Sequence, residues 1–315
     1  MHFDIEKRTI FLCKHGSVAY GLNTPSSDED FKGVCVKPAA CYFGFTQQFE
    51  QFEHMGSKSD GIDKVVYSLD KFTRLAADCN PSIIEVLWVA DEDVLFIDEF
   101  GERLRSIKND FLSKKARFTF SGYMMSQVNR IKTHRKWLID PPKAPPSRKE
   151  FGLSETSAIS KSELGAFDAV QGKGFDVEVS KDVLTVFTRE KQFHAAKTSF
   201  DQYQNWLKTR NPARAELEAK FGYDTKHGLH VVRLGRMCIE ILEGKGVIVK
   251  RPDREELLSI RSGQWSYDQL LEEATKLDNK AEELYATSPL RKEPDRAKLD
   301  AVVIDITQRY LSKHG

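Results

Sequence analysis

Hydrophobic spacing in this 315-residue chain changes once, near Leu69, and that change limits the folds open to it. Upstream, the apolar runs are short and strand-like. Residues 8–13 (RTIFLC) are one, and residues 28–36 (DEDFKGVCV) are a second that tolerates Gly33. Residues 62–69 (IDKVVYSL) are a third, with Val65 and Tyr67 alternating in phase with Asp63. Residues 37–61 are aromatic-rich and too irregular to assign. Downstream, the spacing is helical: LDKFTRLAADCNPSIIEVLWVA reads as a helix, a break at Asn80-Pro81, and a second helix with Pro81 in its first turn. A long helix begins near Ser113 and is followed by a Pro-rich break at 140–152. Residues 153–192 are the least readable stretch, with room for a surface excursion or lid. From Phe193 onward helices dominate. The order predicts an α+β chain, with a small mixed-sheet core over residues 1–100 and a larger, mainly α-helical domain over 101–315.

Composition excludes several classes. Forty per cent apolar and 30% charged residues is ordinary for a globular protein. No apolar run reaches the roughly 20 residues that cross a bilayer, so no membrane partner is expected. The start, MHFDIEKRTIF, lacks the plan of a secretory leader. Cys13, Cys35, Cys41, Cys79 and Cys238 are scattered, with no CxxC pair, so a reducing cytoplasmic setting is expected. The net charge of +1 hides an asymmetry. Residues 1–100 carry 9 Lys/Arg against 17 Asp/Glu, and residues 101–150 carry 13 against 4. Such a basic segment suits either a solvated helix face or a polyanionic ligand. DNA binding is not expected from it.

The chemistry concentrates in residues 14–36, KHGSVAYGLNTPSSDEDFKGVCV. On a strand, Asp28 and Asp30 share one face at a Cα spacing of about 6–7 Å. Two carboxylates that close repel one another unless a cation lies between them, and Mg²⁺ accepts such a pair while leaving positions for substrate phosphates. A neighbouring strand offers Asp63 as a third ligand, with Asp60 as a competitor three residues earlier. Upstream, Gly16 and Ser17 make a turn whose N–H groups and hydroxyl suit phosphate oxygens. Farther along, Lys226, His230 and Arg233 fall at i, i+4 and i+7, one cationic stripe suited to a triphosphate. Val231, Leu234 and Cys238 lie on a stripe that can face the core. Lys114, Lys115, Arg117 and Tyr123 are candidates to line an acceptor channel, and Arg130, Arg135 and Trp137 continue the mixture of cations and aromatics. Phe118, Phe120 and Met124 read as core, and Glu85 as part of a helix junction.

Strand, Gly-Ser, Tyr-Gly, Ser-Asp-x-Asp, strand and a further strand Asp together resemble the polymerase-β superfamily of nucleotidyltransferases. The chain is most similar to its RlaP-like branch, through residues 16–34, VVYSLDKF and NPSIIEVLW (65–88), FLSKKARFTFSGYMMSQ (111–127) and KHGLHVVRL (226–234). The resemblance implies a small polymerase-β-type sheet followed by helices. It implies two Mg²⁺ ions, or Mn²⁺, held by Asp28, Asp30 and Asp63. It also implies an NTP bound by Gly16, Ser17, Tyr20, Ser27, Lys226, His230 and Arg233, and transfer of a nucleoside monophosphate to a hydroxyl with loss of pyrophosphate. An RNA 3′ end is one acceptor that it suggests; a small-molecule or protein hydroxyl, or a silent nucleotide-binding module, are the alternatives.

Overall fold

A computed structural model describes residues 3–25, 27–56, 61–156, 159–172 and 180–314. Five strands form one mixed sheet: β1 (Thr9–His15), β2 (Glu29–Cys35), β3 (Gln51–His54), β4 (Ile62–Ser68) and β5 (Val94–Ile97). Their order is β3-β4-β2-β1-β5, with β2 and β4 parallel and the other pairs antiparallel. The three expected strands are present with ends shifted by a residue or two. β2 starts one residue after Asp28, which leads into the sheet from the preceding turn. Two further strands, β3 and β5, were not expected: each has only four residues, half-buried or exposed, although β5 is the apolar run VLFI.

The helices are α1 (Ile5–Arg8), α2 (Gly16–Ala19), α3 (Ala39–Phe43), α4 (Leu69–Ala77), α5 (Pro81–Ile84), α6 (Glu99–Ser106) and α7 (Ala116–Ile139). There follow α8 (Lys161–Gly172), α9 (Lys181–Thr209), α10 (Pro212–Phe221), α11 (Thr225–Leu242), α12 (Arg254–Arg261), α13 (Tyr267–Thr287) and α14 (Arg296–His314). Local chemistry explains their starts. Asp98 caps α6 by accepting from the Phe100 and Gly101 N–H groups, and Asp224 caps α11 by accepting from His227 N at 3.0 Å. Ser266 and Gln269 form a reciprocal capping box on α13. In α4, Leu69, Phe72, Thr73, Ala76 and Ala77 are buried at helical spacing, and α4 and α6 pack on the sheet. Among the described residues, no helix is long and apolar enough to cross a membrane.

Two compact units emerge, residues 1–131 with 224–315, and residues 132–223. This partition differs from an expected boundary at residue 100, because α11 to α14 belong with the sheet. In the second unit, His134, Trp137, Tyr203 and Trp206 form a ring cluster, and the buried Glu218 accepts from Arg210 and contacts His134 Nδ1 at 3.0 Å. Elsewhere in that unit Arg148 grips the buried Glu190 with two hydrogen bonds.

Within the first unit, α11 packs on α12 and α13, and Gly235 permits close packing: a Cβ there would lie 2.7 Å from Met124 Sδ. Val231, Leu234 and Cys238 are buried as their stripe predicts. On α7, Phe120 and Met124 are buried, but Phe118 is 62% exposed and packs its ring edge-on against Tyr285. Arg233 of α11 is a buried charge in this core, and its Nη1 donates to Glu85 Oε1 at 2.7 Å. Breaking one side of such a pair leaves a buried charge uncompensated, a loss of about 3–5 kcal/mol. Arg233→Met is therefore expected to lower stability by that order in urea denaturation followed by circular dichroism. Adding Glu85→Gln should lose less than the two single effects combined; strict additivity would show that the two groups do not act as a pair.

Candidate active site

Register sets two of the expected carboxylates, Asp30 and Asp63, side by side. Asp30 on β2 pairs with Asp63 on the parallel strand β4 and with His15 on the antiparallel strand β1, so the three occupy one row on one face of the sheet. Asp28 lies just before β2, where Glu29 N donates to Gly61 O at 3.0 Å; a Cβ on Gly61 would lie 3.9 Å from Asp28 Oδ1. Ser27 shapes the turn before it, its hydroxyl accepting from Thr24 N at 2.9 Å. Asp60 lies outside the described residues.

Electrostatics reports the same convergence. Burial raises the Asp30 pKa, the Asp63 carboxylate raises it further, and Asp28 adds to the effect, while Lys32 and Lys226 oppose it. Asp30 thus lacks enough positive charge around it, and the all-oxygen donor chemistry of Asp28, Asp30 and Asp63 fits Mg²⁺ or Mn²⁺. Asp63 Oδ1 accepts from Gly56 N at 2.9 Å. Among the described residues, no three His, Cys, Asp or Glu side chains already converge closely enough to hold a metal ion.

The glycine upstream has a concrete reason. Gly16 has φ +61°, and a Cβ there would lie 1.9 Å from Asp30 Oδ2. Asp30 therefore lies directly against the turn that carries Ser17, and only glycine fits both the backbone and the contact. Tyr20 N donates to Gly16 O and Leu22 N to Ser17 O, closing the short α2.

The cationic stripe of α11 runs from the surface into the core. Lys226 and His230 are half-buried, and Lys226 is among the charges that Asp30 senses. Arg233 is only 6% exposed and faces Glu85, with its guanidinium 3.8 Å from the Tyr20 ring centroid. Tyr20 is likewise buried, and its hydroxyl donates to Glu85 Oε2 at 2.5 Å. Neither side chain presents its polar group to an open phosphate site as the sequence reading expected. The basic segment is also engaged: Lys115 pairs with Asp78 and Glu293, Arg117 with Asp278 and Glu282, and Lys114 Nζ donates to Tyr285 O.

Sequence reasoning missed Glu85, His15 and Lys32. Glu85 is fully buried, and although desolvation favours its neutral form, Arg233 with His15 and Tyr20 holds its pKa well below the usual carboxylate range. The available signal was an acid amid the apolar run IIEVLW, which needs partners once buried. Burial lowers His15 to about 4, with Lys32 adding to that, so its ring is neutral at neutral pH. Lys32 lies two residues from Asp30 on the same face, is lowered by burial, and donates from Nζ to Ser82 O.

Residues 2–139 match the protein family RlaP, described as the RNA repair pathway DNA polymerase beta family. A relative in Enterobacteria phage T4, an uncharacterized 38.9 kDa protein in the nrdC-mobD intergenic region, is 29% identical over 130 residues. That match covers 39% of this chain and 38% of the phage protein, so the chain spans well under half the length of its relative. No solved structure matches the chain.

Two outcomes follow from these charges. His15 has a lowered folded-state pKa, so its contribution is present above the ordinary value of 6.5 and is lost as pH falls toward about 4. Stability measured by urea denaturation should decline through that window, and His15→Gln should flatten the decline; an unchanged slope would rule His15 out as the source. Asp30 has the opposite sign: its raised value favours folding at low pH and costs stability as pH rises through it. At pH 7.5 without divalent cations, Asp30→Asn should raise the melting temperature by about 1–2 °C. Millimolar Mg²⁺ should stabilise the unsubstituted protein but not this variant, as read by thermal melting.

Proposed function

Residues 2–139 belong to the RlaP family, the RNA repair pathway DNA polymerase beta family, and from that membership we propose that this chain is a divalent-metal-dependent nucleotidyltransferase. On this reading it transfers a nucleoside monophosphate from an NTP to a hydroxyl acceptor and releases pyrophosphate. The observation that carries the proposal is the shared row of Asp30 and Asp63 on parallel strands, with Asp30 pressed against Gly16 and Asp28 leading into the same strand.

Asp28, Asp30 and Asp63 would hold the cations, Mg²⁺ or Mn²⁺. When bound, such ions neutralise phosphate charge and ease ionisation of the acceptor hydroxyl. The chain's own groups supply orientation. The Ser17 hydroxyl and the N–H groups of the turn fix the outer phosphates, Lys226 adds positive charge from α11, and His230 adds a ring nitrogen beside it. The acceptor oxygen attacks the α-phosphorus in line, the bond to the pyrophosphate oxygen breaks, and the hydroxyl proton leaves to solvent. Ser27 shapes the turn before Asp28. Tyr20 and Arg233 act from beneath the site.

The proposed acceptor is an RNA 3′ end, supported by the family's description rather than by bulk charge. Incubation with each α-labelled NTP, Mg²⁺ or Mn²⁺, and RNA should transfer label to the RNA terminus. Asp30→Asn and Asp63→Asn should lower transfer at least about 10³-fold with the fold retained by circular dichroism. Label on protein or on a small molecule would replace the acceptor. Nucleotide binding without pyrophosphate release under any condition would overturn the enzyme reading in favour of a silent binding module.

A further inference from the structure

The four-residue helix α2 is too short to hold its own shape. It makes few internal hydrogen bonds, and isolated turns of this length are unstable in water. Yet it carries Gly16 and Ser17 directly against Asp30. The segment after it is secured by backbone acceptors: Tyr20 O accepts from Arg251 N, Gly21 O from Arg254 Nε and Leu22 O from Arg261 Nη1. The turn itself is held differently, by one buried carboxylate.

Glu85 is reached from both ends of α2. His15, the residue before Gly16, places Nε2 3.5 Å from Glu85 Oε2, too long for a full hydrogen bond, and Nε2 makes no other hydrogen bond. Tyr20, the residue after Ala19, donates its hydroxyl to the same oxygen at 2.5 Å. The two rings also meet edge-on, with centroids 5.8 Å apart. The second carboxylate oxygen accepts from Arg233, on the helix that carries Lys226 and His230. A charge with no exposure thus joins the two flanks of the proposed phosphate turn to the proposed phosphate-binding helix.

We propose that Glu85 is a positioning residue that clamps the Gly16–Ala19 turn through Tyr20 and His15 and sets its spacing from α11 through Arg233, so that NTP phosphates meet a preformed cradle. This inference rests on the nucleotidyltransferase reading, but its structural half can be tested without it. Preformed donors lower the cost of ordering on binding, so a loosened turn weakens phosphate binding in ground and transition states alike. The loss then falls on KM more than on kcat.

The experiment compares the full chain with Tyr20→Phe, which removes one tether and keeps the ring, and with Glu85→Gln where that variant folds. Hydrogen–deuterium exchange should quicken at least about tenfold at the amides of residues 20–22, which close the turn, and leave the β2 and β4 amides unchanged. With ATP or another NTP that proves to be the substrate, KM should rise about three- to tenfold, a change of about 0.7–1.4 kcal/mol, with the loss falling mainly on KM. Unchanged exchange at 20–22 would overturn the clamp, whatever the nucleotide does. Quickened exchange with unchanged KM would overturn the positioning role and leave a structural one. If the unsubstituted chain neither binds nor turns over any NTP, the nucleotidyltransferase reading fails, the positioning role falls with it, and exchange alone decides the clamp.

Discussion

A carboxylate with no exposure to water is the constraint on which the first unit depends. Removing an ionised group from solvent costs several kcal/mol, so the fold at Glu85 has to assemble its partners or neutralise it. It assembles them. Arg233 comes from 148 positions away in sequence, Tyr20 from 65, and His15 from the end of β1. This explains why α11 belongs with the sheet although the 92 residues of the other compact unit, 132–223, intervene in sequence. The pairing also fixes direction: α11 can turn only one side toward Glu85, and Val231, Leu234 and Cys238 then pack inward around it.

The same face of the sheet holds a second acidic group under opposite conditions. Glu85 has a guanidinium, a phenol and an imidazole within reach, and its pKa falls. Asp30 is partly buried beside Asp63 and Asp28, Lys32 and Lys226 only partly offset this, and its pKa rises. One acid is thus buried with its counter-charges and the other set beside like charges, the arrangement on which the proposed cation site rests. Gly16 reinforces this, because the absence of a Cβ lets Asp30 stand upright against the turn.

Much of this arrangement was legible from the sequence, and the failures have physical causes. β1, β2, β4, α4, α7 and α11 carry long apolar runs or helical spacing, which report burial directly. β3 has no such run and β5 only the four residues VLFI; both are edge strands that owe their form to pairing with β4 and β1. The acids were visible because Asp-x-Asp places two charges on one face by geometry alone. Tyr20 and Arg233 were misread because residue type and spacing reveal a stripe but not its depth, and α11 slopes from half-exposed Lys226 to buried Arg233 within two turns. Glu85 was passed over because a single acid in an apolar run looks like a junction until its distant partners are seen. The split at residue 100 failed to foresee that the last third of the chain packs on the first.

The basic segment shows where charge counting misleads. Its excess of cations over residues 101–150 suggests a polyanion surface, but Lys115 and Arg117 are met by Asp78, Glu293, Asp278 and Glu282, drawn from distant parts of the same unit. Those pairs are partly exposed, and each contributes little to stability. Their effect is to offset the charge of Lys115 and Arg117 locally. The positive charge that matters to the proposed chemistry is instead the small amount delivered to Asp30 by Lys226 and Lys32. Lys226 is delivered by α11, whose seat depends on Arg233. The buried Glu85–Arg233 pair therefore ties the helix that carries Lys226 to the segment beside β1.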